Sequence, residues 1–326
     1  MLNFYLSHTC KLDDKRVQTC LCRMFELFYH PIYTYGIDKN STFPRDRYRI
    51  TKDYLDKQKV IINFQKPNLA KVEDIILGHE KKYVTSFIQG LLTEKEKRRI
   101  GLQPWNEHIV NRTRYILGGS IGAMKSAIER NNIAGNMAGG THHAHFSYGS
   151  GYCIFNDLAI CAFKSIKDYK NINKVLIIDL DVHQGDGTAS ILKNHRNIFT
   201  FSMHCENNFP LKKMKSDLDI PLKKGMKDDQ YLDILQKNIK TLKKSKFDLV
   251  LFQAGVDILN KDSLGYLEIS REGIKNRNEI VLELAREKDL PLVVFMGGGY
   301  SKPIQHSVDA FVDLFVQCSN YANMIN

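Results

Sequence analysis

The stretch Lys174-Val175-Leu176-Ile177-Ile178-Asp179-Leu180-Asp181-Val182-His183-Gln184-Gly185-Asp186-Gly187 constrains the fold more than any other. Its first half is an apolar, largely β-branched run, the pattern of a strand buried on both faces. Its second half carries Asp179, Asp181 and His183 at alternate positions. Strand side chains repeat every second residue, so these three face the same way at the strand's carboxyl end. Open parallel sheets bind their ligands at that edge. Gly185 and Gly187 break the strand, and Asp186 sits in the turn before a helix expected from about Thr188. Two carboxylates and an imidazole in a dry strand end repel and desolvate one another unless a cation joins them. The pattern therefore points to a metal site.

A length of 326 residues and a hydrophobic content of 43% suffice for one large α/β core. No apolar run reaches the length of a membrane-spanning helix. The first residues have neither the basic start nor the apolar centre of a signal peptide. Seven scattered cysteines, an odd number, do not form a disulfide framework, so a reducing, cytoplasm-like interior is expected. Cys10, Cys20 and Cys22, with His8 nearby, match no usual zinc spacing and read as buried or free thiols. The net charge of +11 raises nucleic acid as a partner. Its lysines are spread in short groups with no aromatic-interleaved basic motif, which favours solvated helix faces over base recognition.

Along the chain, residues 1–27 read as an N-terminal extension and residues 28–326 as one domain. A strand is expected over 28–35, then an aromatic- and arginine-bearing loop, 40–50, of the kind that rims a site. Further strands are expected over 60–64, 133–137, 175–178, 198–203, 248–253 and 292–296. Helical periods cover 105–130, 157–168, 188–194, 228–244, 270–288 and the C-terminal end, with two short helices in 70–92. Gly118, Gly119 and Gly122 inside the first of these predict close packing against another element. Asn156 with Asp157, and Ser270, are expected to cap helices. A basic loop is expected from 204 through Pro221. The alternation predicts one three-layer α/β/α domain with a mostly parallel central sheet.

In such a sheet the polar clusters that follow separate strands meet on one edge. Asp181, His183 and Asp257 then form a site of two carboxylates and one imidazole with room for water. That composition is catalytic rather than structural zinc logic, with iron(II) or manganese also compatible with the oxygen-rich set. His142 and His143, after the turn Gly139-Gly140, are candidates for base, acid and electrostatic stabiliser, with Asp179 and Asp186 as their partners. His145 and His204 are read as ordinary background histidines. Tyr300, after Gly297-Gly298-Gly299, can approach a substrate closely and donate to a developing oxyanion. No Lys-Ser/Thr follows those glycines, as a phosphate-binding loop requires.

Together these motifs resemble the histone deacetylase family of the arginase/deacetylase superfamily, over roughly residues 28–318. Gly139-Gly140-Thr141-His142-His143-Ala144 is similar to its tandem-histidine motif, and residues 179–187 to its metal and charge-partner motif. Asp257 matches the third metal ligand and Tyr300 the catalytic tyrosine. Residues 254–267 most resemble the class IV branch and its bacterial relatives. The resemblance implies a structural potassium ion among Asp179, Asp181, His183, Ser202 and Met203. It also implies an acyl-lysine channel lined by Gly151, Tyr152 and Phe209. Many relatives carry phenylalanine in place of Tyr152 and histidine in place of Gln184, which bears on channel polarity and substrate choice.

The expected activity is therefore zinc-dependent hydrolysis of acyl groups, acetyl or longer fatty acyl, from lysine side chains of proteins or peptides. The rivals are a deacetylase of small molecules such as acetylated polyamines, and a non-catalytic acyl-lysine binder. Retention of His143 and Tyr300 speaks against the binder. An arginase-like hydrolase needs a two-metal cluster with more Asp and His ligands than are present. Arg45, Arg47 and Arg49 near the expected rim, on a +11 chain, offer cationic substrates no long-range attraction.

Overall fold

The computed structural model describes residues 24–324. The apolar runs become eight strands, in chain order β1 (Phe25–Phe28), β2 (Ile62–Gln65), β3 (Ile133–Asn136), β4 (Val175–Asp179), β5 (Ile198–Cys205), β6 (Leu218–Leu222), β7 (Leu249–Gln253) and β8 (Leu292–Phe295). They form one sheet in the order β2-β1-β3-β8-β7-β4-β5-β6, and every neighbouring pair is parallel. Every residue of β3, β4, β7 and β8 is buried. An unbroken apolar strand is what burial on both faces demands, and the helices supply the two outer layers.

The order β7-β4-β5 places β4 between two parallel partners, with Asp179 level with Gln253 on one side and Ser202 on the other. Helices follow every strand except β5, which leads directly to β6. Asn156 caps Asp157–Asp168 by accepting from the Ala159 N–H, and Ser270 caps Arg271–Glu287 by accepting from the Gly273 N–H. Both serve the donors that a helix start leaves free. The long helix Glu107–Arg130 packs on β1, β3 and β8. Its glycines allow close approach: a Cβ on Gly118 would run into the backbone oxygen of Asn68 in the segment after β2, and one on Gly122 would lie 2.5 Å from the Phe28 ring of β1.

Three expectations change. Residues 28–35 do not form a strand, because β1 ends at Phe28 and Pro31 opens the short helix Ile32–Tyr35. Proline's fixed φ suits a first helical turn, which outweighs the aromatic strand propensity here. The basic loop expected through Pro221 contains β6, an edge strand where a proline without an N–H is tolerated. Strand β1 begins at Phe25, so the sheet takes in the end of the segment expected to precede the domain; residues 1–23, with Cys10, Cys20 and Cys22, lie outside the described residues. Among the described residues, no helix is long and apolar enough to cross a membrane.

Substituting Gly118→Ala forces a methyl group against backbone rather than a movable side chain. It is expected to lower stability by about 2 kcal/mol, read as a lower denaturant midpoint with an unchanged slope.

Candidate active site

Because the sheet is parallel, the segments leaving β3, β4, β7 and β8 emerge on one edge. They carry His142 and His143, Asp181 and His183, Asp257, and Tyr300 respectively. One ligand atom each from Asp181, His183 and Asp257 lies within 4.8 Å of the other two, and all three residues are buried. His183 Nδ1 stands 3.0 Å from Asp181 Oδ1 and 3.2 Å from Asp257 Oδ2.

The free lone pairs in this group are few. Asp181 Oδ2 accepts from Gln253 Nε2 at 2.8 Å and from the Gly298 N–H at 3.0 Å. Asp257 Oδ1 accepts from the Val182 N–H at 2.9 Å, whereas Asp257 Oδ2 is buried with no hydrogen-bond donor. Burial and the Asp181 carboxylate push Asp257 up to about 7. Burial opposes charge on His183 too, but Asp181 and Asp257 outweigh it and hold its pKa at about 10. An orphaned carboxylate oxygen beside a second carboxylate and an imidazole fits a divalent cation well.

The histidine pair is wired to two separate carboxylates. His142 Nδ1 lies 2.7 Å from Asp179 Oδ2, and His143 Nδ1 lies 2.7 Å from Asp186 Oδ1. An ionised carboxylate only accepts, so each imidazole carries its proton on Nδ1 and leaves Nε2 for the cavity. Their environments differ. Burial disfavours charge on His142, yet Asp179 and Asp181 hold its pKa up at about 9. Burial and the neighbouring His142 push His143 down to about 4, against the pull of Asp186. One imidazole is thus poised to stay charged and the other to stay neutral, a division that suits a stabiliser and a base.

His142, His143, Asp181, His183 and Tyr300 line a cavity of about 320 Å³. Phe43, Gly151, Tyr152, Phe209, Leu264 and Tyr266 also line it. Gly151 has φ +52°, and a Cβ there would lie 2.8 Å from the His143 ring and 3.0 Å from Phe209, so the narrow wall depends on glycine. The Phe209 ring meets His143 edge-on at 4.8 Å between centroids. Tyr152 turns its hydroxyl to Thr42 Oγ1, 3.2 Å away, and offers its ring to Phe43 and Tyr300. Tyr300 has its N–H anchored on Asp262 Oδ2 at 2.6 Å. Burial keeps its phenol well above the ordinary tyrosine pKa despite Arg47 nearby, so it remains an O–H donor.

Of the three arginines expected near the rim, Arg47 lines the cavity, together with Phe43 and Tyr48 of the same segment. Arg47 is buried, with its guanidinium over the Phe43, Tyr48 and Tyr300 rings and bonded to the Gly299 carbonyl at 3.1 Å. A weakly hydrated, planar cation is readily covered by aromatic faces. Arg45 donates to the Ile37 carbonyl and Arg49 pairs with Asp53. Gln253 and Arg277 were not singled out from sequence, Gln184 was noted only as a departure from relatives, and His145 was read as background. Gln253 clamps Asp181, and the buried Arg277 donates to the carbonyls of Ala254 and Gly255 beside Asp257. Gln184 donates to Met214 O and Asp219 Oδ1 and accepts from the Met214 N–H, tying the metal motif to the segment after Phe209. His145, read as background, bonds Asp186 Oδ2 through Nε2 at 3.0 Å. The His-His-Ala-His spacing was the available signal, since it sets His145 two residues beyond His143. His204, also read as background, is buried against Ser202 Oγ at 2.9 Å.

Residues 41–315 match the histone deacetylase domain. The chain belongs to the histone deacetylase family. It is 31% identical to Histone deacetylase 2 of Arabidopsis thaliana over 82% of its length and 71% of that protein's. An uncharacterised protein of Picosynechococcus sp. is 44% identical over 87% of this chain and 95% of its own. Acetoin utilization protein AcuC of Staphylococcus aureus is 26% identical over 87% and 79%. A crystal structure of a histone deacetylase homologue complexed with SAHA superposes with a TM-score of 0.77 over 91% of this chain and 84% of that one; at 24% identity it speaks to the fold. Family membership makes the chain a deacetylase-type hydrolase with an arginase/deacetylase α/β architecture.

An imidazole accepts a proton only when neutral, so with His143 in the role of base expected from sequence, activity is predicted to be full above its pKa and to fall as pH drops through it. The acid limb of kcat/KM is expected near 4 rather than near the ordinary 6.5. A pH–rate profile in the acid range, with stability controls, checks this.

Proposed function

We propose that the protein is a zinc-dependent lysine deacylase acting on protein or peptide substrates. The observation that carries this reading is His143, bonded to Asp186 through Nδ1, lining one cavity with Tyr300 and with Asp181 and His183 of the Asp181, His183 and Asp257 group. A divalent ion held by those three residues, zinc in the first instance and iron(II) as an alternative, supplies Lewis acidity to the amide carbonyl and to water. His143 Nε2 takes a proton from the attacking water as the new C–O bond forms. It returns that proton to the amide nitrogen as the C–N bond breaks, leaving a carboxylic acid and a free lysine. Asp186 holds His143 in the tautomer that permits both transfers. His142, held protonated on Asp179, offsets negative charge at the carbonyl oxygen, and Tyr300 donates its O–H to the same oxygen.

The apolar wall of Phe43, Tyr152, Phe209 and Leu264 supports a neutral acyl-lysine stem, a lysine chain without its charge. The class IV resemblance of residues 254–267 supports preference for long acyl chains over acetyl. A structural potassium ion among Asp179, Asp181, His183, Ser202 and Met203 belongs to the same proposal, supported by the register that sets Asp179 beside Ser202. A reducing, cytoplasm-like setting is supported by the free buried thiols Cys153, Cys161, Cys205 and Cys318. Likeness to an acetoin utilization protein favours one second reading, a small acetylated metabolite as substrate.

The test is hydrolysis by the purified protein of one peptide bearing acetyl-, octanoyl- or myristoyl-lysine, beside an acetylated polyamine, with and without a zinc chelator. Chelator-sensitive turnover of the peptides is expected, fastest with the longest chain. Tyr300→Phe should lower kcat about a hundredfold or more, the usual loss when one oxyanion donor is removed. Turnover of the polyamine alone would favour the second reading.

A further inference from the structure

We propose that His145 is a positioning residue that locks the Asp186 carboxylate and, through it, His143; this rests on His143 being the proton acceptor. Asp186 is gripped at both oxygens: Oδ1 by His143 Nδ1 at 2.7 Å and Oδ2 by His145 Nε2 at 3.0 Å. A carboxylate with one donor turns easily about its terminal torsion, whereas two donors on opposite oxygens fix its plane.

His145 is itself built into place. Its N–H donates to the Tyr148 carbonyl at 2.8 Å, closing a short antiparallel bridge. Its carbonyl faces His79 Nδ1 at 3.0 Å. His79 Nε2 accepts from the Asn156 N–H at 2.7 Å, so the His79 proton sits on Nδ1 and is donated to His145. The His145 ring stacks on Tyr148 with centroids 4.5 Å apart and planes 18° from parallel, and the Arg99 guanidinium lies 4.1 Å from the centroid of the same tyrosine ring. Side chain and main chain are thus held from separate directions, and the ring's polar edge is spent on Asp186.

The location adds a second role. Asp186, His145, Tyr148 and Arg99 line an open groove of about 500 Å³, and Phe209 lines both this groove and the active-site cavity. His145 therefore occupies Asp186 Oδ2, the oxygen for which water in the groove would otherwise compete. Its bond keeps the carboxylate committed to His143.

The test compares His145→Phe, which keeps a stacking ring without a donor, with His145→Gln, whose amide can donate to Asp186. Kinetics on the best acyl-lysine peptide are read beside the exchange with water of the His143 Nδ1 proton in 15N-histidine-labelled, metal-loaded protein. His145→Phe is expected to lower kcat about tenfold with KM nearly unchanged, the scale of losing an outer-shell partner. It should also speed the proton exchange at least tenfold, and His145→Gln should recover most of both. Wild-type kcat and exchange in His145→Phe would overturn the proposal. So would equal damage in both variants, which would make His145 a packing residue only. Wild-type protein that turns over no substrate, with the exchange pattern as expected, would overturn the deacylase reading while leaving the role of His145 standing.

Discussion

Two carboxylates and an imidazole, buried together beyond β4 and β7, set the terms for the rest of the molecule. Among the described residues, Asp181 and Asp257 form ion pairs only with histidines. Left to itself the group holds protons on Asp257 and His183, whose pKa values are raised, while the neighbouring His142 and His183 keep Asp181 well below the usual carboxylate range. A site that holds such a group so dry is arranged for a cation rather than for stability, since unpaired buried charge is among the most destabilising features a fold can carry.

The surrounding architecture serves that arrangement. Parallel pairing brings the ends of β3, β4, β7 and β8 to one edge, so residues more than a hundred positions apart share a cavity. Hydrogen bonds from Gln253 and the Gly298 N–H then orient Asp181, and Arg277 braces the backbone next to Asp257. The two histidine–carboxylate pairs sit beside the cluster but respond to it differently. His142, close to Asp181, is driven towards its charged form, and His143, next to His142, away from it. One electrostatic field thus separates the two imidazoles into different chemical roles.

Much of this was legible in the sequence because it is local. The run from Val175 to Asp179 forms a strand buried on both faces, and Asp181 and His183, expected to continue its alternation, follow in the turn just beyond its end. Asn156 and Ser270 announce their helices in the same local way. What depended on distant partners was not legible. The segment through Pro221, expected as a basic loop, contains the edge strand β6, and Pro31 redirected an aromatic run into a helix. Arg47 reads as a surface cation, yet it is buried beneath aromatic rings contributed from both ends of the chain. Gln253 gains its meaning from Asp181, a contact that neither periodicity nor spacing encodes, and His145 from Asp186, for which the His-His-Ala-His spacing was the one signal.

The most direct test of the central claim is calorimetric titration of zinc into metal-free protein near neutral pH, in buffers of differing ionisation enthalpy. A ligating imidazole and carboxylate must be deprotonated, so binding to this cluster must expel protons. The account predicts one ion per chain, release of at least one proton from His183 and Asp257, and loss of that binding in Asp257→Asn. Absence of binding, or binding without proton release and indifferent to Asp257→Asn, would contradict it.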